Sequence, residues 1–449
     1  MKSLKIAVVP AAAMALLLSG CVPGGTGPAP DENREVITDA SQMGEVTVTV
    51  LDTFTDDASP IGRWMASVVE SFESEYPNIT IDRQSENSND VNSTLRLRLS
   101  EAGAPDIVPA NQGWSGVGDL ASSGLLLNLD PYSEAYDWAT ELPDTILQQS
   151  MASADGSNIG QGSQYGMPIN QGAFVTAFYN RAILDKLGLE EPQTFDDFVA
   201  ALEAAKAAGE TPIALGTQDG WPATATLLAL QAAVGDGDAI RDFVFAKGGD
   251  AASTGLEDAA ALYQEWVEAG YFTTDFAGVP SSDALQNFVD GTGLFTFWYS
   301  GFLPFADQAQ GDQFGQFILP RQDGGPLTAV GSSSQNFSIA ANTEEADAAA
   351  LFLDFMASAT AGEAAMDNQI IPMFGSFEPN TDSVMLNDGI ESLNAVTESN
   401  GYLPYFDWAT PTMIDALTVN LQLMFDGQAT PAALVEASQA NYDEFRSTK

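Results

Sequence analysis

The sequence lacks histidine entirely and contains one cysteine, Cys21. Without histidine, Ser-His-Asp and Cys-His catalysis and histidine-ligated zinc are excluded, although chemistry by carboxylates alone stays open. Because there is no second cysteine, the chain cannot form an internal disulfide. Hydrophobic residues make up 45% of the chain, so stability has to come from packing.

Basic residues are also few: 15 Lys and Arg stand against 62 Asp and Glu, for a net charge of −47. A surface this acidic cannot neutralise phosphates, so nucleic acid is excluded as a partner and anionic lipid is disfavoured. The acids are scattered along the chain, and scattered acids usually form a solvated surface. The acidity by itself therefore does not indicate a cationic ligand.

Long apolar runs are absent beyond the N-terminus. Residues 6–18 form an apolar run of about a dozen residues, too short for a membrane-spanning helix of ~20 and suited to an export signal. The run follows Lys2 and Lys5 and ends at Leu18-Ser19-Gly20-Cys21. This ending resembles a bacterial lipobox, which implies cleavage before Cys21 and a lipid on its sulfur. The alternative is an ordinary signal peptide with a chance cysteine.

Without residues 1–20 of this signal peptide, 429 of the 449 residues remain. That length is large for one core and suits two lobes. Residues 21–44 begin with a Gly- and Pro-rich stretch and are predicted to be a flexible tether, with ordered structure beginning near Glu45. The mature chain is then held at the membrane by lipid alone. We expect no cofactor and no metal.

Hydrophobic patterning predicts an α/β fold. Residues 46–51 alternate apolar and hydroxyl side chains as a strand does, and apolar residues recur at helical spacing from Trp64 to Tyr76, before Pro77. Further strands are predicted over residues 79–82, 107–109, 213–215, 294–298, 317–319 and 337–340. Helix starts are predicted at Thr194, Thr343 and Thr430.

Several tryptophans are expected to lie in the core and not in a site. Trp64 and Trp266 occupy helix faces at the spacing of core residues. Trp138 fits either role, with the core favoured.

Five segments of the sequence, each a weak signal by itself, occur in a characteristic order. They are Gly103-Ala-Pro-Asp-Ile-Val108 followed by residues 124–132, Tyr165-Gly-Met-Pro168 leading into Phe178-Tyr-Asn-Arg181 and residues 187–198, residues 288–298, residues 346–356, and residues 425–431. Together, across about residues 45–446, they resemble the extracellular solute-binding proteins of bacterial sugar importers, the family that includes maltose-binding protein.

The resemblance implies a two-lobed periplasmic-binding-protein fold of type II, with an interlobe cleft and hinge crossings. Lobe 1 is predicted over residues 45–169 and 335–385, and lobe 2 over 170–334 and 386–449. The resemblance also implies a monomer without enzymatic activity, anchored outside the cell membrane through Cys21. It would capture a carbohydrate, a neutral oligosaccharide by our interpretation, and deliver it to the permease subunits of an ABC importer.

A sugar site needs aromatic rings for the C–H faces of the ligand and short polar side chains for its hydroxyls. Such residues are expected on loops at strand ends. Three places combine the two kinds of side chain: Asp219 with Trp221, Trp298 with Tyr299, and Asp407 with Trp408. The second and third also match site regions of the family.

Other candidates lie in three loops. Asp56 and Asp57 follow the first strand, and they would alternatively cap the helix near Pro60. Residues after the third strand are predicted to bind hydroxyls or a ring face, namely Asn111, Gln112 and Trp114. The pair Asn170 and Gln171 lies at the first expected crossing between lobes, whereas residues 332–334 at the second crossing fit a small-residue hinge better than a contact.

Three other functions stay open. A binding protein of the same fold would take a polyamine, a peptide or another solute. A secreted glycoside hydrolase needs only a carboxylate pair, but no strand-end acid stands out and the eightfold pattern of a barrel is missing. A surface or adhesion lipoprotein without a transport role is the third. Aromatic and neutral amide side chains at the candidate loops favour a sugar.

Overall fold

The structure is a computed structural model that describes residues 35–449 except 171, 301–312, 334, 375–376 and 380. Cys21 with the predicted lipobox, most of the predicted tether and Gln171 lie outside these residues. Val36, Ala40 and Met43 already pack against a hydrophobic core. The chain therefore joins the folded body several residues before Glu45.

The described strands are β1 Val46–Asp52, β2 Ile79–Ser85, β3 Ile107–Pro109, β4 Met151–Ala152, β5 Ser163–Gln164, β6 Met167–Pro168, β7 Gly172–Asn180, β8 Phe295–Tyr299, β9 Phe314–Phe317, β10 Ala329–Ser333, β11 Asn336–Ile339 and β12 Tyr402–Leu403.

The described α-helices are α1 Pro60–Glu75, α2 Ser88–Leu99, α3 Asp119–Ser122, α4 Asp130–Ala135, α5 Trp138–Glu141, α6 Asp144–Leu147, α7 Arg181–Leu187, α8 Phe195–Ala207, α9 Trp221–Val234, α10 Gly237–Val244, α11 Leu256–Glu268, α12 Ser281–Val289, α13 Ala346–Ala357, α14 Ala359–Asp367, α15 Val384–Glu398, α16 Met413–Phe425 and α17 Pro431–Arg446. Within residues 35–449 as described, no helix combines the length and apolarity needed to cross a bilayer.

Two sheets organise most of these strands. The first has the order β2-β1-β3-β11-β6, with β1 parallel to β2 and β3 and β11 antiparallel to β3. The second has the order β12-β10-β7-β8, and β9 also pairs with β7. We call the two sheets with their packed helices lobe 1 and lobe 2; the residue boundaries given above stay a prediction. The α/β fold class is confirmed.

The chain passes between the sheets at defined places. It leaves β6 at Pro168 and enters β7 at Gly172, and it leaves β10 at Ser333 and enters β11 at Asn336. Both crossings are short, and two neighbouring short connections between the sheets suit a hinge.

Each lobe has its own tryptophan-rich core, as the helical spacing predicts. In lobe 1, Trp64 and Trp138 are fully buried, and the Trp64 indole Nε1 donates to the Ala361 carbonyl at 2.9 Å. In lobe 2, Trp266 is buried against Phe198, with ring centroids 5.7 Å apart. The assignment of these three indoles to the core is confirmed.

Two of the three helix starts are confirmed. Thr194 forms a full capping box with Asp197, and Thr430 caps α17 with Pro431 in the first position. The start at Thr343 is wrong, because α13 begins at Ala346. The Thr343 hydroxyl instead accepts from the N–H of Glu345, the residue just before the helix, at 3.0 Å.

Two of the strand predictions differ from the structure, and one strand was missed. Residues 213–215 contribute only bridges at Ile213 and no strand, and the strand predicted over 317–319 lies at Phe314–Phe317. The nine-residue β7 was not predicted as a strand. It pairs with β8, β9 and β10 and is buried along almost its whole length, so it lacks the period-two alternation that reveals a half-exposed strand.

Candidate functional site

Four rings of lobe 2 form a connected group that we call the aromatic cluster: Trp221, Tyr299, Tyr405 and Trp408. Trp221 stacks on Tyr299 with a centroid distance of 5.4 Å and an interplanar angle of 11°. Tyr405 lies 5.8 Å from Trp221 and 5.2 Å from Trp408. Trp221 and Tyr299 are only half-buried, so part of the cluster remains accessible.

The four rings lie at the start of a helix, at the end of a strand and in a turn. Trp221 is the first residue of α9, Tyr299 is the last residue of β8, and Tyr405 and Trp408 belong to the turn before α16. Gly220 has a φ of +82° and sits where a Cβ atom would lie 2.6 Å from Thr418 Cγ2. Glycine therefore permits the turn that starts α9 with Trp221 facing Tyr299.

Trp298 lies beside the cluster but faces differently. Its ring is at 74° to Tyr299 with centroids 5.8 Å apart, as expected for neighbours on opposite faces of a strand. Trp298 is 8% exposed and packs in a small core with Phe288 and Phe314. The structure thus gives Trp298 mainly a packing role, and its contact with a ligand stays a prediction.

Asp407 supplies the cluster with a carboxylate. The side chain is half-buried, and its Oδ1 atom is buried with no hydrogen-bond partner among the described residues. Burial raises the pKa of Asp407 to about 6. Burial also raises the pKa of Tyr299, with the nearby Tyr405 and Asp407 adding to the shift. An accepting oxygen with an unmet hydrogen bond therefore lies among aromatic faces.

Gln112 was predicted to bind hydroxyls, but the structure uses its side chain at the hinge. Gln112 is buried, and its Nε2 donates to Ser332 Oγ at 3.0 Å and to Asn336 Oδ1 at 3.3 Å. The Asn336 amide in turn donates to Ser150 Oγ at 2.7 Å. Its neighbour Asn111 is exposed and stays a candidate.

Asn170 is likewise committed to the protein. It is fully buried, its Nδ2 donates to the carbonyls of Ser358 and Phe374, and its Oδ1 accepts from the Phe374 N–H at 2.7 Å. Such a residue holds the first crossing in place and has no donor left for a ligand. Its neighbour Gln171 lies outside the described residues.

Three predicted carboxylates have local partners. Asp57 is paired with Arg83 at 2.9 Å, and Asp56 accepts from the Ala58 N–H at 2.9 Å within its own turn. Neither caps α1, whose cap is Ser59. Asp219 accepts from the backbone and hydroxyl of Ser281 at the start of α12. These contacts place all three in structural roles, and binding by them is an untested prediction.

Trp114 is not exposed to a cleft. It is 1% exposed and lies edge-on to Phe445 of α17, with centroids 5.0 Å apart. The preceding Gly113 comes so near to Trp408 that a Cβ atom would lie 2.6 Å from the Trp408 Cβ. The loop after β3 therefore touches lobe 2 through packing and not through an open sugar subsite.

Two residues that sequence reasoning missed belong to this region. Tyr405 completes the cluster, and its spacing of three from Trp408 in a turn was the available signal. Gln335 follows β10 at the second crossing, where its Nε2 donates to Thr53 Oγ1 at 3.2 Å and its buried Oε1 has no partner among the described residues. Nothing in the local sequence distinguishes Gln335 from an ordinary loop amide.

A cavity of about 690 Å³ lies elsewhere, between α4–α6 and α10, and is lined by polar residues that include Asp144, Gln148 and Arg241. It contains no ring of the aromatic cluster and is therefore separate from it. No group of three or more His, Cys, Asp or Glu in the described part of the chain is placed to hold a metal ion.

Known proteins share both the sequence pattern and the architecture. A family model described as bacterial extracellular solute-binding protein matches residues 57–363. A probable sugar-binding periplasmic protein of Mesorhizobium japonicum is 35% identical over 106 residues, which are 24% of this chain and 24% of that protein. A multiple sugar-binding protein of Streptococcus mutans is 24% identical over 337 residues, or 72% of this chain and 74% of that one.

The alignment with the first of these relatives thus spans about a quarter of that relative's length. Among solved structures, a chitin oligosaccharide binding protein superposes with a TM-score of 0.71 at 23% identity, covering 90% of this chain and 99% of the other. At this identity the superposition shows the fold alone. Since the family model covers well over half of the sequence, the chain belongs to the bacterial extracellular solute-binding protein family.

Proposed function

We propose that this protein captures a carbohydrate, a neutral oligosaccharide by our interpretation, and delivers it to the permease subunits of an ABC importer. The observation that carries the proposal is the aromatic cluster with Asp407. Half-exposed rings offer stacking surfaces for the C–H faces of a pyranose. The unpartnered Oδ1 of Asp407 offers an acceptor for a ligand hydroxyl.

Closure of the lobes would complete the site. The cluster belongs to lobe 2, so hydroxyls that point away from its rings need partners from lobe 1. Asn111 is exposed, and the orphan Oε1 of Gln335 lies at the second crossing. A rotation about the crossings near residues 168–172 and 333–336 would bring such groups over a stacked sugar.

The names of the relatives support a sugar over another solute. Both relatives described above are named as sugar-binding proteins. A polyamine or peptide ligand is the alternative outcome of the binding test below. Hydrolysis would require a second carboxylate flanking the bond, whereas Asp407 is the one buried carboxylate beside the aromatic cluster among the residues that the structure describes.

We extend the proposal to the location of the protein. A lipid on Cys21 would hold a monomer at the outer face of the cell membrane. Replacing Cys21 with serine is expected to abolish labelling by a radioactive fatty acid and to release the protein into the soluble fraction. Labelling that persists in Cys21→Ser would contradict a lipid at this residue.

The binding test uses a thermal-shift panel of mono- and oligosaccharides, amino acids, peptides and polyamines, followed by calorimetry on the hits. A specific ligand stabilises the fold by ~2.7 kcal/mol at a hundredfold excess over Kd. We expect stabilisation by one neutral saccharide class, with the saccharide recovered intact. A hit among polyamines or peptides only, or the appearance of cleaved sugar, would overturn the proposal.

A matched pair of variants tests the cluster itself. Trp221→Ala removes a ring stacked at 5.4 Å and 11° in the proposed site, and Tyr136→Ala removes a half-buried ring stacked on Trp138 at 5.8 Å and 11° in lobe 1. We expect Trp221→Ala to weaken saccharide binding by about 5- to 150-fold, from ~1–3 kcal/mol for an aromatic contact. Tyr136→Ala is expected to leave affinity unchanged; equal losses in both would remove the cluster from the site.

A further inference from the structure

Two side chains of lobe 1 are buried inside the core of lobe 2. Trp114, after β3, and Ile159, in the loop between β4 and β5, are 1% and 2% exposed. Both belong to the same hydrophobic cluster as α9, α11 and α17 of lobe 2. Because these side chains are covered by the opposite lobe, separating the lobes would expose them to water.

The end of the chain covers Trp114. Phe445, in the last turn of α17, meets the indole edge-on at 5.0 Å, and the Lys449 ammonium lies over the same indole at 4.5 Å from the ring centroid. At this distance an ammonium is attracted by the π face.

A second contact joins α17 to the same region of lobe 1. Arg446 Nη1 donates to the Ser157 carbonyl at 2.6 Å, and its Nη2 donates to Asn158 Oδ1 at 3.2 Å. The last turn of α17 therefore contacts both the loop after β3 and the loop between β4 and β5.

A third contact involves the end of α10. The Gln161 amide donates to the Phe245 carbonyl at 2.9 Å. Gly160 has a φ of +68° and packs so closely that a Cβ atom would lie 2.3 Å from the Phe245 ring. A side chain at this position would push the loop away from lobe 2, so the glycine permits the close approach.

We propose that these contacts form an interlobe clasp that holds the lobes in the present arrangement. It is made by Trp114, Ile159 and the loop 157–161 of lobe 1 with Phe245, Phe445, Arg446 and Lys449 of lobe 2. The crossings near residues 168–172 and 333–336 permit rotation, and the clasp opposes it. The inference rests on the hinged fold and does not depend on which solute binds.

The chain suits a distance measurement, because Cys21 is its only cysteine. In a soluble form beginning at residue 35, exposed Ser74 on α1 and exposed Ala261 on α11 are replaced by cysteine and carry a donor and an acceptor dye. Single-molecule energy transfer without ligand then reports the separation of lobe 1 and lobe 2.

Lys449→Met is compared with Lys206→Met in the labelled protein. Lys206 also lies over a ring, 5.9 Å from the centroid of Tyr271, but both residues belong to lobe 2. We expect Lys449→Met to raise the population outside the main distance peak by about 2- to 30-fold, the range of a cation–π contact of ~0.5–2 kcal/mol. Lys206→Met is expected to leave the distribution unchanged.

Adding Arg446→Met to Lys449→Met should further increase the population outside the main distance peak. The melting temperature should stay close to that of wild type, since both side chains lie at the end of the chain. Distributions identical to wild type in the single and the double variant would overturn the clasp. A shift of the same size in Lys206→Met would overturn it as well, because that lysine bridges no lobes.

Discussion

The aromatic and the polar side chains of the predicted site make different kinds of contact in the folded protein. Trp221, Tyr299 and Trp408 meet in one cluster, although they lie up to 187 positions apart in sequence. Gln112, Asn170 and Asp219, by contrast, are hydrogen-bonded to other parts of the protein. Three of the five predicted rings came together, whereas Trp114 and Trp298 pack in hydrophobic cores. Most of the polar side chains form hydrogen bonds within the scaffold.

The difference follows from the number of partners available to each kind of side chain. A side-chain amide can be satisfied by any backbone N–H or C=O that passes within about 3 Å, and a carboxylate by any backbone N–H. The sequence does not reveal which backbone will pass there. A large ring next to a glycine or proline turn has fewer ways to be buried, so a half-exposed indole is the more specific signal.

The largest expected effect is a loss of stability in Trp298→Ala, which distinguishes this buried ring from the half-buried Trp221 and Tyr299. Trp298→Ala removes an indole that is 8% exposed and packs with Phe288 and Phe314. We expect the free energy of unfolding to fall by ~3–5 kcal/mol, measured by urea denaturation. A stability loss below that of Trp221→Ala would show that Trp298 belongs with the ligand-facing rings.

The next largest effect is expected to distinguish Gln112 from its neighbour Asn111, since both were predicted to bind ligand hydroxyls. Gln112→Ala removes buried hydrogen bonds to Ser332 and Asn336, whereas Asn111→Ala changes an exposed side chain. We expect ~1–3 kcal/mol of destabilisation for Gln112→Ala, because its partners are left unsatisfied, and none for Asn111→Ala. Chemical denaturation of both variants measures this, and equal stabilities would contradict the hinge role of Gln112.

A pH series sharpens the role of Asp407. Its pKa is raised to about 6 in the folded state, so the ionised carboxylate opposes folding above that pH, and the penalty disappears as pH falls towards the ordinary value near 3.8. Asp407→Asn is therefore expected to raise the melting temperature at pH 7–8 and to converge with wild type near pH 4.

Ligand affinity supplies the second readout for Asp407. In wild type, affinity for the saccharide is expected to fall as pH drops through about 6, while Asp407→Asn binds weakly with little pH dependence. Asp388 is the necessary control, since burial raises its pKa to about 7. If the pH dependence of affinity disappears in Asp388→Asn and persists in Asp407→Asn, the titrating group is Asp388. That result would contradict the place of Asp407 in the site.

The smallest effect is expected at the first loop. Asp57 pairs with Arg83 at the surface, where its side chain is 80% exposed. Exposed ion pairs stabilise proteins by at most about 1 kcal/mol and are screened by salt. We expect Asp57→Ala to lower stability by less than that, with no difference in 1 M NaCl and no change in calorimetric affinity. A tenfold loss of affinity would return Asp57 to the binding site.

Much of the architecture was predictable from local signals. The pattern of residues 46–51 predicted β1, the spacing from Trp64 to Tyr76 predicted α1, and Thr194 and Thr430 marked helix starts that the structure confirms. These signals depend on neighbours within a few residues, which the sequence displays directly. The central strand β7 was missed because a strand buried on both faces shows no alternation.

The sequence by itself determined the acidic charge, the absence of histidine and disulfide chemistry, and the local helices and strands, because composition and short-range periodicity do not depend on the rest of the fold. Only the tertiary structure decided that Gln112 serves the hinge, that Trp114 is covered by α17, and that Tyr405 joins Trp221. Each of these depends on a contact between residues far apart in the chain, and which distant surface covers a side chain is decided by the packing of both lobes.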